Sequence, residues 1–71
     1  METIKLLDVV ALTEAFPAEG LRRGEVGTVV EQWAEGVFEV EFSDDSGVPY
    51  AFAAVPAAKL IKLYFRKDEA A

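Results

Sequence analysis

The strongest constraint on the fold is a run of strict alternation: Val37, Glu39 and Glu41 interleave with Phe38, Val40 and Phe42. A period of two, with acids on one side and bulky apolar groups on the other, specifies a half-buried β-strand. The stretch from Gly24 to Phe42 reads as two strands and the turn between them, with Trp33-Ala34-Glu35-Gly36 supplying the connection. Directly opposed residues of an antiparallel pair share a face. Phe38, Val40 and Phe42 must therefore stand with Val26, Thr28 and Val30, or with Gly27, Val29 and Glu31. The second choice buries Glu31, at a cost of several kcal/mol for an unpaired charge, so the first is expected. It requires an odd loop of roughly three or five residues with Gly36 in the left-handed conformation. A three-residue loop sets Glu31 opposite Glu39, and like charges in that position repel. This favours the five-residue loop, which sets Glu31 opposite Val37.

The rest of the chain builds around this hairpin. Residues 4–12 are rich in aliphatic and β-branched side chains and read as a first strand, with Asp8 at its rim. Residues 13–23 form a long connection in which Phe16 and Leu21 fold back to plug an open barrel end, because neither can stay exposed cheaply in a domain this small. Asp44, Asp45, Ser46 and Gly47 carry turn chemistry. Residues 50–55 are alanine-rich, but six residues between Pro49 and Pro56 are too few for a stable helix and suit a fourth strand. Residues 56–60 read as one short 3₁₀ turn begun by Pro56, 61–65 as the last strand, and 66–71 as a frayed tail. Gly24 and Gly27 read as a bulge or bend that lets the sheet curl. The expected core is Val10, Leu12, Val26, Val30, Phe38, Val40, Phe42, Phe52 and Leu60, with Glu31, Glu39 and Glu41 exposed. The expected fold is all-β: one SH3-like domain over residues 1–71, a five-stranded, partly open barrel ordered over about residues 4–65, with a 3₁₀ turn before the last strand.

Composition narrows the chemistry. The 71 residues are 52% hydrophobic, which suits a folded domain. There is no His and no Cys, which removes the commonest general base, the usual zinc ligands and the common nucleophile–base dyads. The expectation is a non-enzyme with no cofactor and no tightly held metal. The opening Met1-Glu2-Thr3-Ile4-Lys5 lacks the pattern of a secretory leader, and no apolar run is long enough to span a bilayer, so a soluble cytoplasmic protein is expected. A formal net charge of −6 disfavours phosphate and anionic membranes and permits a basic partner.

Asp8-Val9-Val10-Ala11-Leu12, then Gly20-Leu21-Arg22-Arg23-Gly24-Glu25-Val26-Gly27-Thr28-Val29-Val30-Glu31, then Phe38-Glu39-Val40-Glu41-Phe42, with Asp45, Gly47, Tyr50-Ala51 and Leu60, resemble a family of short bacterial proteins known as a domain of unknown function. The resemblance covers roughly residues 6–63. It implies an SH3-like barrel and brings no activity and no catalytic residues. Its members' occurrence beside genes for small toxins implies an antitoxin-like partner role as one alternative. Glu25-Val26-Gly27-Thr28-Val29 more loosely resembles the ferredoxin-docking subunit of photosystem I, a likeness that bears on fold and not on function.

The candidate protein-binding residues are Glu31, Trp33, Glu35, Glu39 and Glu41: an aromatic anchor at a hairpin tip inside a ring of acids. Against it stands the possibility that Trp33 packs on the barrel's side or on Pro17. A nucleic-acid-binding alternative rests on Arg22, Arg23, Lys59, Lys62, Arg66 and Lys67, and total charge opposes it. Pairing of strand edges into a homo-oligomer is a third possibility.

Overall fold

The computed structural model describes residues 3–64. It is all-β: β1 (Val9–Leu12), β2 (Val26–Ala34), β3 (Val37–Ser43), β4 (Pro49–Pro56) and β5 (Leu60–Lys62), with 3₁₀ turns at Pro17–Glu19 and Ala57–Lys59. The strands form one antiparallel sheet in the order β4-β3-β2-β1-β5, which does not close. The five-stranded, partly open arrangement and the 3₁₀ turn before the last strand are as the sequence predicts. One face of all five strands, with Leu21, meets in a single apolar cluster built on Val10, Leu12, Val29, Val40, Phe42 and Val55. The tail at 66–71 and Phe65 of the expected last strand lie outside the described residues.

Residues 13–23 plug one end of the core, as expected. Phe16 and Leu21 bridge to each other, Leu21 is buried, and Phe16 packs against the cluster. Lys59 closes over the plug, its Nζ 5.6 Å from the centre of the Phe16 ring and 3.8 Å from Glu14 Oε1. The turn after β3 also follows its chemistry. Asp44 Oδ1 accepts the N–H groups of Ser46 and Val48, and Gly47 takes a left-handed φ of 83°.

The first strand is shorter than expected. Residues 5–8 make a turn in which Asp8 accepts the Lys5 N–H and Leu7 adopts a positive φ of 72°, so the ladder begins at Val9. The Asp8 carboxylate sits at the rim, as its place in the sequence suggested, 3.3 Å from Lys62 Nζ.

The hairpin register differs from the expected one. Gly27 stands opposite Phe42 and Val29 opposite Val40, so Gly27 and Val29 face the core, while Val26 is exposed and Val30 is only half-buried. The charge penalty on this choice is avoided by an irregularity between Val29 and Glu31. Val30 is an extra residue there, and one inserted residue reverses every side chain beyond it. Glu31 therefore points outward, opposite Glu39. A second irregularity between Gln32 and Ala34 makes Trp33 the extra residue. The connection is the two-residue Glu35-Gly36, not five residues, with Gly36 left-handed at φ 77° as expected.

The bulges thus fall at Val30 and Trp33, not at the glycines. Gly24 instead supplies a left-handed turn residue, and Gly27 lies against its neighbours. A Cβ there would come within 2.6 Å of Val40 Cγ1 and 2.7 Å of the Glu41 carbonyl oxygen.

Phe52 is the third correction to the expected core: it is 53% exposed. Opposite the large inward residues of β3, β4 sets Ala51 against Phe42, Ala53 against Val40 and Val55 against Phe38. Two Phe rings on β3 leave room for small partners, so the aromatic of β4 takes the other face.

Candidate functional site: the outer face of the central strands

Three of the four candidate acids lie on the outer face of β2 and β3. Across the strands the rows read Glu31, Glu39, Ala54 and, one step along, Thr28, Glu41, Phe52. Glu35 is exposed at the turn. Glu31 is exposed as expected, whereas Glu39 and Glu41 are half-buried, flanked by strands on both sides. Among the described residues, none of these four carboxylates has a cation within salt-bridge distance. Glu31 and Glu39, directly opposed, repel.

Trp33 is 63% exposed. Its indole Nε1 donates to Glu39 Oε1 over 2.8 Å, six residues along the chain. The bond satisfies one oxygen of Glu39, holds the indole across the outer face, and leaves most of the ring open. A fixed orientation lowers the entropy lost when such a ring is covered.

The sequence reading missed Phe52. It extends the apolar part of the face beside Glu41. The signal that could have found it is the pairing of small with large: alanines 51 and 53 share the parity of Val55, and Phe52 does not.

The cations are organised differently. Arg22 lies 3.6 Å from Glu25, Lys59 faces Glu14, and Lys62 faces Asp8. Arg66 and Lys67 lie outside the described residues. Glu25 also accepts the Tyr50 hydroxyl, a bond that reaches from the start of β4 to the start of β2. That hydrogen bond, with the Arg22 N–H, holds the Glu25 carboxyl below its ordinary range, and the same bond raises the Tyr50 phenol. Among the described residues, no group of three or more Asp or Glu is placed to hold a metal ion, and no helix is long and apolar enough to cross a membrane.

Comparison with known families adds one finding to this geometry. The family described as a domain of unknown function, DUF4926, matches residues 6–62, which spans every strand of the sheet. The chain belongs to the DUF4926 family. No curated protein and no solved structure matches it. The matched segment includes all five candidate residues, from Glu31 to Glu41, as well as Phe52.

Proposed function

We propose that this DUF4926 protein is a non-catalytic interaction module that docks a basic protein partner on the outer face of β2, β3 and β4. The observation that carries this reading is Trp33: open to solvent, oriented by Glu39, and set among carboxylates that have no cation within salt-bridge distance among the described residues. An aromatic of this kind supplies most of the affinity in a small interface. The acids Glu31, Glu35, Glu39 and Glu41 attract and orient a cationic partner. Phe52 widens the apolar contact. The absence of His and Cys supports a binding role over a catalytic one. The engagement of Arg22, Lys59 and Lys62 with acids weighs against a nucleic-acid surface.

The test starts from proteins captured by the wild-type chain in its native host. For such a partner, Trp33→Ala should weaken binding by about 2 kcal/mol or more, chiefly through faster dissociation. Glu39→Gln keeps an acceptor for the indole and removes a charge, so it should slow association and leave dissociation nearly unchanged. Reversing Glu31 and Glu41 to Lys should flatten the salt dependence of the on-rate. A native partner that binds the Trp33→Ala and charge-reversed chains as well as wild type refutes the proposal.

A further inference from the structure

The free edge of β4 carries an inference independent of the Trp33 face. β4 is an edge strand of eight residues, Pro49-Tyr50-Ala51-Phe52-Ala53-Ala54-Val55-Pro56, and no described strand pairs with its outer side. Edge strands are ordinarily guarded by charges, bulges or shortness. The opposite edge, β5, is three residues long and contains Lys62. β4 holds no charged residue, its prolines stand only at its ends, and its one irregularity falls at Tyr50, leaving 51–55 regular.

The direction of its hydrogen-bonding groups follows from one bond. The Ala57 N–H donates to the Gly36 carbonyl over 2.7 Å. Bonded and non-bonded pairs alternate along an antiparallel ladder. From Gly36/Ala57, the next pair, Val37/Pro56, is non-bonded, which suits a proline. Val55, Ala53 and Ala51 then bond to β3, and the N–H and C=O groups of Phe52 and Ala54 point away from the sheet.

We infer that β4 pairs with β4 of a second copy of this chain, antiparallel about a two-fold axis through Ala53. In that register, Phe52 exchanges both hydrogen bonds with Ala54 of the other copy, and Ala54 with its Phe52, so the outward-pointing groups of both strands are used. The side chains also fit themselves. On the outer face each Phe52 lies opposite an alanine. On the inner face Ala53 meets Ala53, and Ala51 meets Val55. Pro56, without an N–H, ends the ladder on each side. The acids do not oppose the pairing. Glu39 of one copy and Glu41 of the other are three strand spacings apart, about 14 Å, beyond the screening length of about 8 Å at physiological ionic strength. The contact is small, so it belongs with weak, concentration-dependent interfaces.

Sedimentation of the wild-type chain from about 10 μM to about 1 mM, the range in which weak interfaces dissociate, should show the mass rising from monomer toward dimer. Ala54→Lys, at an exposed position, should keep the monomer throughout while retaining the circular dichroism of the fold. The chain has no cysteine, so a single introduced thiol reports the register. Ala53→Cys should oxidise to a covalent dimer, because opposed non-bonded residues lie within disulfide reach. Ala54→Cys should not, because its counterpart is diagonal at about 7–8 Å. A wild-type chain that stays monomeric overturns the inference, as does a dimer that survives Ala54→Lys or one that cross-links through position 54 and not 53.

Discussion

Gly27→Ala is the substitution on which the hairpin register turns, because the two registers predict opposite signs. In the observed pairing Gly27 faces inward opposite Phe42. An added Cβ would stand 2.6 Å from Val40 Cγ1, 2.7 Å from the Glu41 carbonyl oxygen and 3.0 Å from Phe42 Cδ2. The carbonyl cannot rotate away, since it belongs to the backbone of β3. β2 and β3 must therefore separate by several tenths of an ångström where Val40 and Phe42 are fully buried. Overpacking of this kind costs about 1–3 kcal/mol, and the backbone contact places Gly27→Ala in the upper part of that range. At about 0.05–0.15 kcal/mol per residue the whole domain holds about 4–11 kcal/mol. A loss of about 2–3 kcal/mol lowers Tm by about 8–24 °C in a domain of this size. Had Val26, Thr28 and Val30 faced inward, Gly27 would lie on the solvent side. Alanine would then stabilise the strand by about 0.5–1 kcal/mol through reduced backbone entropy. Urea unfolding followed by circular dichroism measures the difference. A Gly27→Ala protein as stable as wild type, or more so, refutes the register and the inward position of Val29.

Three further outcomes are expected. Phe38→Ala removes a buried ring from β3 and should cost about 3–5 kcal/mol, seen as a midpoint shift in denaturant; an unchanged midpoint would contradict the core. Leu7→Asn, at an exposed residue with φ 72°, should raise stability by about 0.5–1 kcal/mol, because leucine is strained in the left-handed region and asparagine is not; thermal unfolding decides it, and a lower Tm would show that the turn needs the leucine. Tyr50→Phe should return the Glu25 carboxyl toward its ordinary value, read by NMR titration, since the Tyr50 hydroxyl is the main cause of its depression. The wild-type stabilisation from that depressed carboxyl is present above pH 4.5 and lost as pH falls through the folded value. That from the raised Tyr50 is present below pH 10.0 and lost as pH rises through its folded value. Tyr50→Phe should flatten both limbs, and an unmoved Glu25 titration would show that the hydrogen bond does not form in solution.

The proposed partner surface depends on β2 being bulged twice. Without the extra residue at Val30, Glu31 would share the face of Val29 and the core would hold a carboxylate. With it, Glu31 joins Glu39 outside. The second extra residue, Trp33, frees the indole from the ladder's alternation so that it can reach Glu39. The irregularities that let the sheet fold around its core therefore also assemble the acid–aromatic face.

Local chemistry by itself determined much of this protein. The alternation of β3 places Phe38, Val40 and Phe42 inside and Glu39 and Glu41 outside whatever the rest of the chain does. Asp44 and Gly47 define their turn, Gly36 its left-handed position, and Phe16 and Leu21 the plug, because each depends on neighbours a few residues away or on the cost of exposing a large apolar group. The face of β2 was a matter for the tertiary structure. Its parity hinges on one inserted residue, and the cost of each choice depends on the space left by Val40 and Phe42 beside Gly27, on a strand that sequence alone does not bring near. Phe52 lies outward for the same reason: two Phe rings on β3 had already filled the inner layer opposite β4. The bond from Trp33 to Glu39 was equally hidden, since it exists only once a bulge has turned the indole across the face that the acids share.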